Sequence, residues 1–289
     1  MKNCRRSLFV AMSILTLVFV ATADAPKLTF KFTTIEVKGA QDTRVFGTNN
    51  ADVMVGAYVD SSGISHGFML KSGKLTTLDN SQGTNTNCAG VNKADDIAGY
   101  YLNSIGAEQA FLYHAGKFSD IGPAGATSSE AFGINDHGNI AGYFVDSSGA
   151  SHGFVWNGKK YKQLDVPQAT STLAWGINNN GLVSVQWTDS NGNTQGAIYN
   201  GKKYLKISVP GAVSSYPHSI DSAGDVVYSW TDSTGLFHGA LRTGGKVYKF
   251  DDPKGTDGTY GDGINDHRLV VGVYHNNGGA TAEGFKAAY

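Results

Sequence analysis

A unit of about 43 residues recurs six times along this 289-residue chain, glycine is unusually frequent at 38 residues, and no long segment carries a helical apolar period. Together these observations predict an all-β fold: a six-bladed β-propeller of four-stranded repeats, closed by the N-terminal strand joining the C-terminal blade. The repeat shows through two independent anchors. One is Gly47-Thr48-Asn49, Gly90-Val91-Asn92, Gly133-Ile134-Asn135, Gly176-Ile177-Asn178, the decayed Ser219-Ile220-Asp221, and Gly263-Ile264-Asn265. The other begins at His66-Gly67-Phe68 and continues through Gln109, His152, Gln195, His238 and Glu283 in the same register.

The N-terminus reads as an address. Lys2, Arg5 and Arg6 precede the apolar run Leu8–Val20, and small residues follow at Ala21–Ala25. This is the charge, apolar stretch and cleavage pattern of a secretory signal peptide over residues 1–23, with cut points after Ala23 or Ala25. The run is shorter than the ~20 residues a membrane helix needs. The expected product is a secreted or periplasmic protein, residues 24–289, with no membrane span after cleavage. Its one cysteine is Cys88, which excludes an internal disulfide and suits a buried position.

Within a unit the strands follow from turn chemistry. In the third, Ala131–Asn135 ends at the turn Asn135-Asp136-His137-Gly138. Asn139–Val145 then closes at Asp146-Ser147-Ser148-Gly149, and His152–Trp156 ends at Asn157-Gly158, a strong hairpin signal. Tyr161–Val166 is the fourth run, ended by Pro167. Four antiparallel strands in such a length is the propeller-blade unit. The last unit stops after its third strand, and Leu28–Val37 is an orphan strand in the phase of a fourth. Pairing the two closes the ring and removes the sheet edges of an open array, such as a linear β solenoid.

The glycine–isoleucine–asparagine turns and His-Gly-Phe triplets resemble those of the HAF-repeat family of exported bacterial proteins, named for a His-Ala-Phe-like triplet. The resemblance spans nearly the whole mature chain. It implies export and a propeller-like fold, and no assigned reaction. The triplet departs from the family pattern where Gln109, Gln195 and Glu283 replace histidine.

Composition excludes several function classes. A formal net charge of -1 without basic runs beyond the N-terminus argues against nucleic acid, which demands phosphate neutralisation. There is no Gly-x-Ser-x-Gly, His-Glu-x-x-His or phosphate-binding glycine loop, so no cofactor is expected. His66, His152 and His238 fall on alternate blades, too far apart to share a metal ion; each is expected to face an acid across its hairpin, Asp60, Asp146 and Asp232. The Asp-Ser-x-Gly hairpins differ by one residue from sialidase Asp boxes, and Arg44, Arg242 and Arg268 cannot converge on a carboxylate. Asp251, Asp252, Asp257 and Asp262 are acidic enough to raise calcium, but lack the ligand order of a calcium loop. Asn50, Asn92, Asp136, Asn179 and Asp266 are expected to satisfy their own turns.

One position varies freely. Three residues before each anchor stand Arg44, Asn87, Glu130, Leu173, Tyr216 and Tyr260, each preceded by a hydroxyl residue: Thr43, Thr86, Ser129, Thr172, Ser215 and Thr259. The uniform hydroxyl implies a structural duty, and its neighbour a released constraint. The candidate ligand-binding residues are therefore Arg44, Glu130, Tyr216, His218, Tyr260 and Asp262, carried by inter-blade loops at the rim of one face with Phe132 and Trp175. Tyr216 and Tyr260 are expected to form an apolar wall, Arg44 to supply a positive contact and Glu130 an acceptor. The expected function is a monomeric, non-enzymatic binding or interaction module for a glycan, peptide or protein. The alternative is a carbohydrate- or lactone-directed hydrolase or lyase using Glu130, Asp262 and His218.

Overall fold

A computed structural model describes residues 28–289; the expected signal peptide lies outside them. Strand β1 (Lys31–Ile35) is followed by blade 1: β2 (Asp42–Thr48), β3 (Met54–Val59), β4 (Ser65–Lys71) and β5 (Lys74–Leu78). Blade 2 holds β6 (Thr84–Val91), β7 (Ile97–Leu102), β8 (Glu108–His114) and β9 (Lys117–Asp120). Blade 3 holds β10 (Ser128–Ile134), β11 (Ile140–Val145), β12 (Ser151–Trp156) and β13 (Tyr161–Leu164). Blade 4 holds β14 (Ser171–Ile177), β15 (Val183–Thr188), β16 (Thr194–Tyr199) and β17 (Tyr204–Ile207). Blade 5 holds β18 (Ser214–Ile220), β19 (Val226–Thr231), β20 (Phe237–Thr243) and β21 (Lys246–Phe250). Blade 6 takes β22 (Thr259–Ile264), β23 (Leu269–Asn276) and β24 (Thr281–Ala288) from the C-terminus and β1 from the N-terminus, in the order β22-β23-β24-β1. The fold is a six-bladed propeller of antiparallel sheets without a helix among the described residues.

The seam forms where the orphan strand was expected. Lys31 to Ile35 pair with Ala288 to Gly284, and Phe30 packs on Phe250 at 4.6 Å and Phe32 on Phe285 at 5.3 Å. Strand alternation thus gives β1 both a ladder and an apolar face, so closure rests on burial as well as hydrogen bonds.

The hydroxyl residues have the structural duty their uniformity implied. Thr43, Thr86, Thr172, Ser215 and Thr259 are buried, and each hydroxyl accepts the backbone N–H of Val37, Asn80, Val166, Val209 or Asp252, at the end of the preceding outer strand. Ser129 departs, accepting from Ala110 instead. Each bond satisfies a backbone donor that blade packing would otherwise bury unpaired.

At the lower face, where first and second strands turn, the anchor asparagines do more than serve their own turns. Each Oδ1 caps its turn, as Asn135 does for the N–H groups of His137 and Asn139. Each amide also reaches one blade onward: Asn49 to the Asn92 carbonyl (2.8 Å), Asn92 to Asn135 (3.4 Å), Asn135 to Asn178 (3.0 Å), Asn178 to Asp221 (2.7 Å) and Asn265 to Asn49 (2.9 Å). The neighbouring position links blades too, through Asp136–Asn179 and Asn50–Asp266. Local turn chemistry alone therefore understates these residues. The belt lacks a donor only in blade 5, where Asp221 has no amide.

Cys88 is fully buried in the core between blades 1 and 2, and burial pushes its thiol well above the ordinary range. The alternate-blade histidines sit far out on their blades, each between two carboxylates. His66 meets Asp79 (3.0 Å) and Asp60 (3.3 Å), His152 meets Asp165 (2.9 Å) and Asp146 (3.3 Å), and His238 meets Asp251 (3.0 Å) and Asp232 (3.5 Å). The cross-hairpin acids are those expected; the second acid of each set follows the fourth strand and was not foreseen.

Candidate functional site

The channel is shaped by one irregularity repeated around the ring. Each innermost strand shifts register against its neighbour just before the anchor, skipping Phe46 in β2, Ala89 in β6, Phe132 in β10, Trp175 in β14 and Asp262 in β22. In β18 the shift spans Pro217 to Ile220 and leaves His218 and Ser219 unpaired. A β-bulge re-aims the side chain of its extra residue. All six residues, Phe46, Ala89, Phe132, Trp175, His218 and Asp262, line one cavity of about 300 Å³ in the channel.

The anchor glycines explain why inner strands can approach so closely. A Cβ on Gly133 would lie 2.7 Å from the Trp175 carbonyl oxygen, and one on Gly90 would lie 2.4 Å from that of Phe132. Backbone meets backbone there, which only glycine permits. In blade 5, where serine replaces the glycine, the wider bulge is held by Ser184, whose hydroxyl donates to the His218 carbonyl and accepts the Gly176 N–H at 2.8 Å.

The bulged side chains form a continuous row over four blades. Phe132 stacks on Trp175 at 4.0 Å and 8°, and Trp175 on His218 at 4.6 Å and 17°. His218 Nδ1 meets Asp262 Oδ1 at 2.8 Å, with side chains only 14% and 11% exposed. Tyr143 stacks on the far side of Phe132 at 5.8 Å, and Tyr100 meets it edge-on at 6.3 Å. Because the rings cover one another's faces, they offer edges and polar tips to the cavity. Trp175 Nε1 is buried without a partner among the described residues.

Glu130 reaches the same cavity, 8% exposed. The Tyr143 hydroxyl donates to it at 2.5 Å and lies 3.5 Å from Glu108. Burial, reinforced by the Glu108 charge and only partly offset by the Tyr143 hydrogen bond, pushes the Glu130 carboxyl up to about 8. It therefore carries a proton near neutrality. In that form it can donate as well as accept.

The structure also corrects where the candidates sit. Arg44, Glu130, Tyr216, His218, Tyr260 and Asp262 all lie within the innermost strands β2, β10, β18 and β22, not in the inter-blade loops. The variable position belongs to the strand because the hydroxyl before it must be seated in the sheet to tie the blades. Glu130, His218 and Asp262 come together on the cavity wall; Arg44, Tyr216 and Tyr260 lie outside it. Tyr216 and Tyr260 are joined through Phe237, which packs on them at 5.5 and 4.6 Å. Arg44 pairs with Asp42 at 3.1 Å. Sequence reasoning missed Phe46, Ala89, Tyr100, Tyr143 and Glu108. The signal for the first two was available: the residue directly before each anchor takes five identities in six blades.

Among the described residues no group of three metal-ligating side chains forms. The four aspartates that raised calcium are engaged separately: Asp251 with His238, Asp262 with His218, Asp252 with the Lys254 N–H and Asp257 with the Gly278 N–H.

No family model and no curated protein matches the chain. Solved structures do match in fold. SapL1 lectin in complex with α-methyl fucoside aligns with TM-score 0.55 and 11% identity over 82% of this chain and 89% of its own. The Aleuria aurantia lectin, a six-bladed propeller, gives 0.53 and 12% over 88% and 93%. A putative TolB from Agrobacterium tumefaciens gives 0.59 and 12% over 72% and 80%. At such identities the likeness establishes the propeller and nothing finer.

Proposed function

We propose that this chain is an exported, non-enzymatic binding module that holds a saccharide-sized, hydroxyl-rich ligand in its central channel. One observation carries the reading. Six bulges aim a side chain from each blade, together with Glu130, into a single cavity of about 300 Å³, a size at the lower end for small-molecule sites. The wall suits a polyhydroxylated guest. Asp262 accepts and protonated Glu130 both donates and accepts, while Phe46, Phe132 and Trp175 supply apolar contact. Two of the similar propellers are fucose-binding lectins, which is in keeping with this reading.

A second reading draws support from Glu130 itself. A carboxyl protonated near pH 7 across a cavity from a His–Asp pair is a workable acid–base set for hydrolysis or lysis of a glycoside or lactone.

The test is a titration of the mature protein with a panel of mono- and disaccharides, followed by calorimetry and thermal shift, with each sugar assayed for turnover. A binding module shows saturable stabilisation that Trp175→Leu removes and Glu130→Gln weakens, with the sugar recovered intact. Turnover abolished by Glu130→Gln would install the enzymatic reading instead. Affinity indifferent to Trp175 and Glu130 alike would remove the channel from both.

A further inference from the structure

The hairpins between third and fourth strands, on the lower outer rim, play no part in the channel. In blades 3 and 4 they are identical: Asn157-Gly158-Lys159-Lys160 and Asn200-Gly201-Lys202-Lys203. Lys162 on β13 and Lys206 on β17 extend the set, and all six lysines are exposed. None of the six ion-pairs with a carboxylate among the described residues. Blade 1 differs, since its hairpin Lys71 is paired with Asp95 at 2.5 Å.

Between these two blades lies an aromatic seam. Tyr199 and Tyr204, opposite each other on β16 and β17, have centroids 4.8 Å apart. They pack toward blade 3 with Val155 and Val166. Lys162 crosses from blade 3 onto this pair, its Nζ 4.8 Å from the Tyr199 centroid and donating to the Tyr199 hydroxyl at 2.7 Å. An ammonium held over a ring face and a phenol is a contact that an anion could share without breaking. Tyr161, 39% exposed, stands beside the first hairpin.

We propose that the outer surface of blades 3 and 4 binds an acidic polysaccharide of the uronate class. Its carboxylates meet Lys159, Lys160, Lys202 and Lys203, and its sugar rings lie along Tyr199 and Tyr204. Repetition supports a polymer over a single anion. In a six-fold ring, adjacent outer strands stand about as far apart as they stand from the axis. Three strand spacings plus the channel radius put that on the order of 20 Å. One extended chain of several sugars spans it and gains from both hairpins at once. Sparse, alternating charge also fits a protein of net charge -1, which has no long-range field to draw in a denser polyanion. The site is independent of the channel, since its residues lie on other strands and hairpins than those lining the cavity.

Affinity electrophoresis of the mature chain tests this, in gels containing polygalacturonate, dextran or duplex DNA, with sedimentation on phosphatidylglycerol vesicles alongside. The expected result is retardation by polygalacturonate about tenfold stronger than by dextran, fading with added salt as exposed charges are screened. Lys160→Gln/Lys202→Gln/Lys203→Gln should lose about tenfold of that affinity at an unchanged melting temperature, with Lys74→Gln in blade 1 as the unaffected control. Equal retardation by dextran, an unaffected triple variant, or tighter binding to DNA or vesicles would overturn the proposal.

Discussion

Replacing Asp221 with asparagine should stabilise the protein, and by an amount that depends on pH. In five blades the belt residue is asparagine, whose amide bonds the next blade's carbonyl. Asp221 is 8% exposed and caps its turn through the N–H groups of Ala223 and Asp225, but has no amide to offer Asn265. Burial first, then the nearby Asp225 and Asp266 charges, push its carboxyl up to about 6. The sign follows from linkage: a carboxyl with a raised folded value costs nothing while both states are protonated. It costs progressively more as pH rises from about 4 through 6. The full shift corresponds to about 3 kcal/mol as a ceiling, and water at the channel's lower mouth reduces this to about 1–2 kcal/mol. The restored hydrogen bond adds about 0.5–1.5 kcal/mol. Asp221→Asn should thus gain about 2–3 kcal/mol at pH 8, or about 4–12 °C in melting temperature, and only the hydrogen bond's about 0.5–1.5 kcal/mol at pH 4. Melting curves followed by circular dichroism from pH 4 to 8 measure it. A gain equal at both ends, or none at pH 8, would refute the belt argument.

Other outcomes follow from the same structure. His66 and His152 have values raised above 6.5 by hydrogen bonds to Asp79 and Asp165, so their contribution is present below pH 6.5 and lost as pH rises through the folded value. The His66→Gln/His152→Gln double variant, using the residue blades 2 and 4 carry there, should melt about 2–4 °C lower at pH 5.5 and level with the parent at pH 9. Deleting residues 28–37 strips β24 of its partner and the seam of Phe30 and Phe32, so the protein should aggregate or melt far below the undeleted parent in light scattering and calorimetry. Gly133→Ala drives a methyl into the Trp175 backbone and should cost about 2–3 kcal/mol in urea unfolding, whereas alanine at the solvent-facing Gly158 should cost less despite its positive φ.

The architecture was legible in the sequence because each of its rules is local and repeated six times. Asn-Gly and Asp-Ser-x-Gly turns mark hairpins wherever they stand, and a missing fourth strand in the last unit together with a spare one at the start leaves a single economical closure. The structural role of Thr43 and its counterparts could be read for the same reason, since a residue type kept in every blade answers a need every blade has. The site could be read only in part. Glu130 was picked out from its variability, and His218 and Asp262 as acid–base groups near the same rim, but as loop residues with Arg44, Tyr216 and Tyr260, because strand ends are set by pairing that the chain reveals only when folded. The bulge that turns Phe46, Phe132 and Trp175 toward one another is a mismatch between two strands and belongs to neither sequence alone. The proton on Glu130 likewise depends on the water its neighbours exclude and on Glu108, which joins it from another blade. Short-range chemistry thus determined the blades, the turns and the ring, while the contents of the channel were decided by strand mismatches and by contacts between blades.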